Sequence, residues 1–228
     1  VKTVEELSPG TSILRWDRDV AATSDAYEAV LERFARGEAQ VLVGTQMVAK
    51  GLHIPSVTLV GAILADIGLH LPDFRAGERV FQLLCQMAGR AGRGEKQGTA
   101  IIQTYRPDHY AVALAAQQDY PAFYEQEVAF RNTQRLPPFS RLMWLLFTHT
   151  NAAKCQQEAE HLGRALRYQR QVWGLTEPDV LGPAPAYPNR VRGRYRWQII
   201  LRGPDPRLLL EKADMPPGWI VDVDPASL

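Results

Sequence analysis

Two arginines, each preceded by a glycine, constrain this chain more than any other feature. Arg90 and Arg93 lie in the run Gln-Met-Ala-Gly-Arg-Ala-Gly-Arg at residues 86–93, directly after a predicted helix. A guanidinium group presents a planar fork of donors that fits phosphate oxygens, and glycine lets a backbone approach a ligand closely. The run therefore predicts a turn that meets a polyphosphate. The alternative is a basic helix end followed by a surface turn, because cations also favour helix C-termini.

The first half of the chain alternates apolar strands with helical segments. Residues 41–44 are nearly all apolar, as expected for a strand buried on both faces of a parallel sheet, and the apolar run at residues 57–64 predicts the next strand. Apolar side chains at helical spacing in residues 27–34 and 80–85 predict covering helices, and another strand is predicted at residues 99–104. The pattern indicates an α/β lobe whose binding loops lie at the carboxyl ends of its strands.

A proline pair, Pro137-Pro138, divides the chain, because it cannot continue a helix. After it the predicted order is β-α-β-β-α-β, typical of the split ferredoxin-like arrangement. We therefore predict a parallel-sheet lobe with trailing helices in residues 1–136 and a small α+β domain in residues 137–228. The predicted trailing helices span residues 110–118 and 121–134, and the later elements lie at 141–148, 152–173, near 180, 194–201, 206–213 and 219–223.

A second basic signal lies in the predicted α+β domain. Residues 187–203 contain five arginines and no carboxylate. Arg194 and Arg196 alternate with Tyr195 and Trp197, so a strand here would have one basic and one apolar face. The basic face predicts binding to DNA phosphates or to an acidic protein tail. The alternative is a charged strand edge that prevents aggregation.

Charge, cysteine content and the distribution of apolar residues indicate the cellular compartment in which the protein is expected. The formal net charge is +1, so any surface for nucleic acid must be local. Cys85 and Cys155 are far apart in sequence and form no metal-type pair, which fits a reducing cytosol. Because the sequence contains no membrane-spanning apolar run and no signal peptide, we expect a cytoplasmic protein without a membrane partner. The first residue is valine, which indicates a piece of a longer protein.

Two segments resemble motifs of superfamily 2 helicases. Thr-Gln-Met-Val-Ala-Lys-Gly at residues 45–51 resembles motif V, and residues 86–93 resemble motif VI. Within it, the sequence Gln-Met-x-Ala-Lys-Gly is similar to that of the primosomal replication-restart helicases. The resemblance to that family covers essentially the whole chain, with further matching segments at residues 66–69, 72–79, 181–186, 194–198 and 221–225.

By this resemblance the chain is the second, RecA-like lobe of a two-lobe ATPase, followed by the family's C-terminal domain. Arg90 and Arg93 then face the γ-phosphate across the cleft between the lobes, in a catalytic site that also includes Gln86. Arg93 is the expected arginine finger, and the alternative role for Arg90 is to order Gln86 and the cleft. Gly89 and Gly92 complete the nucleotide-binding loop. The resemblance also implies contacts to the DNA backbone by Thr45, Gln46, Lys50 and Gly51. For Arg194 and Arg196 it supports both DNA and the acidic tail of single-stranded DNA-binding protein as the ligand.

Three residues between the motifs, Asp66, Asp73 and Arg75, also match the family pattern. For them a structural ion-pair network is an equal alternative. ATP and Mg²⁺ are implied as cofactors shared with a first lobe, because this chain has neither a Gly-x4-Gly-Lys-Ser/Thr cradle nor an Asp-Glu-x-His segment. Zinc is implied only for a cysteine-rich insert that this chain lacks. The chain alone is therefore predicted to be inactive.

The function implied by the family is that of an ATP-dependent 3′-to-5′ DNA helicase. It would act at stalled or repaired replication forks to restart replication through primosome assembly. The implied partners are forked and single-stranded DNA, single-stranded DNA-binding protein and other primosome proteins, at the bacterial nucleoid. The alternative is an ATPase-inactive module, derived from such a helicase, that binds DNA or protein.

Overall fold

The structure is a computed structural model that describes residues 2–17, 24–45, 56–91, 98–211, 213 and 215–227. The helices in this part are α1 (Lys2–Leu7), α2 (Ser24–Ala35), α3 (Ala76–Ala88), α4 (Tyr110–Gln117), α5 (Tyr120–Thr133), α6 (Ala152–Val172) and α7 (Arg207–Glu211), with a 3-10 helix at Ala65–His70. The strands are β1 (Ile13–Trp16), β2 (Val41–Gly44), β3 (Leu59–Ala62), β4 (Thr99–Ile102), β5 (Arg141–His149), β6 (Asp179–Val191), β7 (Arg194–Gly203) and β8 (Trp219–Val223).

The predicted helices and strands are confirmed in their order and close to their predicted bounds. The largest difference is β6, predicted only as a strand near residue 180 and observed over Asp179–Val191. None of the described helices is both long and apolar enough to cross a membrane.

The chain divides into two compact units, Val1–Ile67 with Arg79–Tyr120 and Gly68–Glu78 with Pro121–Leu228. In the first unit β1 pairs with β2 and β3 pairs with β4, both in parallel. Within the described residues these pairs are separate two-stranded sheets. The prediction that residues 41–44 are buried on both faces is wrong for the part of the chain that the structure describes: Val41, Leu42 and Val43 are half-buried and Gly44 is exposed.

Helix α3 is held in the first unit by one apolar face. Val80, Phe81 and Leu84, at helical spacing, are at most 4% exposed. Cys85 continues this face, with its Sγ 4.0 Å from the carbonyl oxygen of Ala115 on α4. Burial raises the pKa of the Cys85 thiol, which keeps it protonated at neutral pH. This packing fixes the C-terminal end of α3, from which the glycine-arginine run continues.

The second unit contains one antiparallel sheet with the strand order β6-β7-β5-β8. Leu145, Ile199 and Leu201 from its central strands are fully buried against Leu162 and Leu166 of α6. Burying each of these side chains contributes about 1.5–3 kcal/mol relative to exposure. Its elements follow the predicted β-α-β-β-α-β order from β5 to β8.

The contacts divide the chain at a different place from the predicted boundary at 136/137. Helix α5 and residues 68–78 pack with the second unit, because Arg131 on α5 joins the two segments. Arg131 donates to Glu78 at 2.8 Å and to Glu127 at 2.7 Å, and its guanidinium lies 5.4 Å from the centre of the Phe74 ring. The boundary at 136/137 itself stays a prediction.

An ion pair holds the residue after β8 to the start of β5. Arg141 Nε donates to Asp224 Oδ2 at 3.1 Å, and the Asp224 amide donates to the Leu142 carbonyl oxygen at 2.9 Å. The hydrogen bond from Arg141 holds the pKa of the Asp224 carboxyl below its usual value.

Asp224→Asn is expected to cause a small loss of thermal stability at neutral pH, small because the pair is exposed to solvent. The pKa of Asp224 is lower in the folded than in the unfolded chain. The contribution of the pair is therefore fully present above the usual carboxyl pKa and is lost as the pH falls through the folded-state value. Melting curves should separate wild type and variant between about pH 5 and 7 and converge as the pH falls through the lowered pKa of Asp224. A difference that persisted in acid would assign the loss to another contact.

Candidate nucleotide and nucleic-acid sites

The C-terminal end of α3 carries the described part of the predicted nucleotide site. Gln86 is exposed in the last turn of the helix, and Gly89 and the half-buried Arg90 follow it. The Gly89 amide donates to the Cys85 carbonyl oxygen at 3.0 Å, four residues back as in an α-helix, whereas the Arg90 amide donates to that of Met87 at 2.9 Å, three residues back. The end of α3 thus tightens into a turn that begins at Gly89. The structure places Arg90 in this turn, directly after the helix end that carries Gln86.

Most of the predicted DNA contacts in the first unit cannot be placed. Thr45 is exposed and directly follows the carboxyl end of β2, where a binding loop of a parallel sheet belongs. The remaining residues predicted for the two motifs lie outside the described residues: Gln46, Lys50, Gly51, Gly92 and Arg93.

The three residues between the motifs make contacts that favour their structural interpretation. Asp66 is 6% exposed and its Oδ1 accepts a hydrogen bond from the Tyr105 amide at 3.0 Å. Asp73 Oδ1 accepts from the Arg75 amide at 2.9 Å, and Arg75 Nη1 donates to the Ala226 carbonyl oxygen at 2.8 Å. Each contact fixes a backbone group.

Strand β7 has the predicted basic and apolar faces. Ile199 and Leu201 are fully buried in the core, whereas Arg194 is exposed and Arg196 is half-buried on the opposite side. Alternate residues of a strand point to opposite faces, so packing of the apolar face fixes the direction of both arginines.

Both arginines are held by neutral oxygen atoms. Arg194 Nη2 donates to the Thr148 carbonyl oxygen at 2.9 Å and its Nε to the Thr148 hydroxyl at 3.1 Å. Arg196 Nη1 donates to the Pro188 carbonyl oxygen at 3.2 Å, and its guanidinium lies 5.8 Å from the Trp144 ring centre. Neither forms an ion pair with a carboxylate among the residues placed by the structure. Their positive charges therefore remain available to an anionic ligand.

Sequence reasoning assigned no role to three arginines, two of which it had counted in the basic run at residues 187–203. Arg190 and Arg192 lie at the end of the same β6–β7 hairpin and are exposed. Their signal is the Arg192-Gly193 dipeptide, since glycine is typical of a two-residue hairpin turn. Arg131, which joins α5 to residues 68–78, has no local sequence signal. Over the described ranges, no group of three or more His, Cys, Asp or Glu side chains could hold a metal ion.

Two family models match the chain. Residues 5–95 match the helicase conserved C-terminal domain, and residues 132–226 match the primosomal protein N C-terminal domain. The first of these matches contains β1, β2, β3 and α3 with its glycine-arginine turn. These residues are therefore similar to a helicase C-terminal domain.

Curated relatives define the family more closely. The replication restart protein PriA of Bacillus subtilis (strain 168) is 42% identical over 87% of this chain and 24% of that protein. Those of Treponema pallidum (strain Nichols) and Haemophilus influenzae are 42% and 37% identical over 100% of this chain, which spans 35% and 32% of their lengths. The chain belongs to the replication restart protein PriA family and corresponds to its C-terminal portion. It spans about a quarter to a third of the length of these relatives.

Among solved structures, the chain is similar to the C-terminal domain of the DEAD-box protein Dbp5. The TM-score is 0.39 and the sequence identity 20%, over 57% of this chain and 73% of that one. A likeness at this level carries no argument about mechanism.

Proposed function

We propose that this chain is the second ATPase lobe and the C-terminal domain of an ATP-dependent 3′-to-5′ DNA helicase. The parent protein would act at stalled or repaired replication forks and assemble the primosome there. The observation that supports this most is the match to PriA relatives along the entire chain. In this proposal the first unit is a RecA-like lobe. The second is ferredoxin-like, which the strand order β6-β7-β5-β8 supports.

The turn after α3 suits the γ-phosphate side of a shared nucleotide site. Gly89 adds no side chain, and Arg90 brings a guanidinium group next to it. Arg93, four residues beyond Gly89 in sequence, is the proposed finger, and Arg90 and Gln86 are proposed to order the cleft. Bound ATP supplies the phosphoanhydride whose hydrolysis drives unwinding. The phosphate cradle and the Mg²⁺ carboxylate are proposed to come from the first lobe of the parent.

The proposed DNA contacts fall in both units. In the first, Thr45 begins the loop that also contains Gln46, Lys50 and Gly51, after the carboxyl end of β2. In the second, Arg194 and Arg196 carry charge that no described carboxylate pairs with. The same two arginines would attract the acidic tail of single-stranded DNA-binding protein. A cytoplasmic, nucleoid-associated location follows from this function.

Unwinding polarity and ATP hydrolysis test the proposal. The full-length parent should hydrolyse ATP faster when DNA is present, and should unwind a duplex with a 3′ single-stranded tail but not one with a 5′ tail. The 228-residue chain alone should hydrolyse no ATP, because it lacks the cradle sequence. Hydrolysis by the isolated chain would contradict the shared site. A parent that binds DNA without hydrolysing ATP would instead support the inactive binding module.

A further inference from the structure

Strands β6 and β7 extend into an exposed hairpin. The strands are joined by a two-residue turn, Arg192-Gly193, and residues 187–194 are all exposed. A Cβ atom added at Gly193 would meet no other atom within 4 Å. The tip of the hairpin therefore projects from the second unit into solvent. We call residues 187–194 the basic arm.

The basic arm and its base carry a concentration of positive charge. It carries Arg190, Arg192 and Arg194, and Arg196 follows at its base. None of the four pairs with a carboxylate in the part of the chain that the structure describes. Such a concentration of unpaired guanidinium groups favours a polyanion as the ligand.

The arm presents charge on two faces as well as at its tip. Arg190 lies opposite Tyr195 in the strand register, and Val191 lies opposite Arg194. Since consecutive residues of a strand point to opposite faces, Arg190 and Arg194 lie on different faces of the ribbon. Arg192 occupies the turn between them. An anionic surface that bordered the arm on both sides would meet an arginine on each.

The turn places an arginine where the backbone disfavours it. Arg192 has a φ of 48° and Gly193 a φ of 79°. A two-residue hairpin turn with both φ values positive favours Asn-Gly, because residues other than glycine, asparagine and aspartate are disfavoured in the left-handed region. Arginine at position 192 thus sacrifices some stability to place a charge at the tip, which fits a binding role better than a structural one.

The base of the arm is held in one geometry. Between Pro185 and Arg190 the strand pairing shifts in a bulge. Arg196 Nη1 closes this bulge by donating to the carbonyl oxygens of Tyr187 and Pro188, at 3.4 and 3.2 Å. A two-stranded ribbon with a fixed base is pre-organised, so its binding loses little conformational freedom.

We propose that the basic arm lies in the major groove of duplex DNA. The major groove of B-form DNA, ~12 Å wide, admits a two-stranded β-ribbon, and the phosphates of both strands border it. Single-stranded DNA is bound mainly by stacking of its bases on aromatic rings. The arm itself has one aromatic ring, Tyr187, and the ring of Tyr195 just beyond it is covered by the Arg190 guanidinium at 5.0 Å, so successive bases would find no series of free rings. The proposal rests on the DNA-binding function proposed above and deepens it by naming the double-stranded part of the substrate.

The test compares two variants of the whole chain with equal loss of charge. The arm variant is Arg190→Ala with Arg192→Asn, since asparagine tolerates the positive φ of the turn. The control is Arg106→Ala with Arg164→Ala, which removes two exposed arginines outside the arm. Melting curves should show that the arm variant is at least as stable as wild type. The probes are a labelled DNA duplex of about 24 base pairs, one of its single strands, and an RNA duplex of the same sequence.

Fluorescence anisotropy between about 50 and 200 mM salt should show roughly tenfold weaker binding of the DNA duplex by the arm variant, with a salt slope smaller by one to two. Single-strand affinity should change by less than about twofold, and the control should resemble wild type. The RNA duplex should bind weakly to all three proteins, because its major groove is too narrow for a ribbon.

Three outcomes would overturn the proposal that the basic arm lies in the major groove. Equal losses on single-stranded and duplex DNA would make the arm a general phosphate contact, and Tyr187→Ala, which removes an exposed ring, would then weaken single-strand binding. Unchanged affinity of the arm variant for the DNA duplex would show that the arm does not bind the duplex and would favour the alternative, a charged edge that prevents aggregation. Wild type that bound none of the nucleic acids would contradict the proposed DNA-binding function as well, so a failure of the arm alone can be told apart.

Discussion

Replacing Arg131 with alanine should lower the free energy of unfolding of the second unit by about 3–5 kcal/mol, the range found when a buried ion pair loses one partner. The Arg131 side chain is 13% exposed and that of Glu127 is 7% exposed, with Nε and Oε1 2.7 Å apart. Glu78, the second partner, is 34% exposed. Removing the guanidinium takes from the buried Glu127 carboxylate the charged donor that lies 2.7 Å from it, which is why the loss is large.

Urea unfolding followed by tryptophan fluorescence measures this loss, since four of the five tryptophans lie in the second unit. The matched control is Arg164→Ala, because its side chain is 69% exposed and lies 3.9 Å from Glu160. That variant should differ from wild type by no more than about 0.5 kcal/mol. Arg131→Met combined with Glu127→Leu should recover much of the loss, because no buried charge is then left unpaired. If Arg131→Ala were as stable as the control, solvent would have to screen the pair.

Local patterns in the sequence predicted most of the helices and strands. The apolar face of α3 and the alternation in β7 both arise from residues a few positions apart. Contacts across long separations were not predicted. Arg131 and Glu78 are 53 residues apart in sequence, and no periodicity shows that α5 and residues 68–78 pack together. The proline pair at 137 stops a helix, but it says nothing about which unit the preceding helix packs with.

The sequence predicted which residue types form the candidate sites, but not which atoms those residues contact. The glycine-arginine run is visible because its chemistry lies in adjacent residues. In contrast, the positions of the hydrogen-bond partners of Arg196 depend on a bulge in β6, where the register with β7 shifts. A bulge depends on the pairing of two strands, so alternation in one strand could not reveal it. For the same reason Arg190 and Arg192 were counted in the basic run but not assigned to a site, although they belong to the same hairpin as Arg194.

Arg93→Ala in the full-length parent should lower the rate of ATP turnover by about 10³-fold or more, the range for arginine fingers. The expectation rests on the proposed function. A finger stabilises the charge of the transferring phosphoryl group in the transition state, so its loss should lower kcat far more than it raises KM. Arg93→Lys should recover little, because an ammonium group cannot present the planar fork of donors. Steady-state hydrolysis with saturating DNA measures both constants, and Arg106→Ala, an exposed arginine in the first unit, is the control.

The comparison with Arg90→Ala decides between the two arginines of the run. Arg90 is half-buried in the turn after α3, so its removal should disturb the turn, and melting curves should register a loss of stability. If Arg90 orders the cleft, its variant should change KM together with kcat, whereas Arg93→Ala should change kcat with an unaltered melting curve. If kcat were normal in Arg93→Ala and severely lowered in Arg90→Ala, Arg90 would be the arginine finger and Arg93 would not. Normal kcat in both variants would leave the run as a basic helix end and contradict its assignment to the nucleotide.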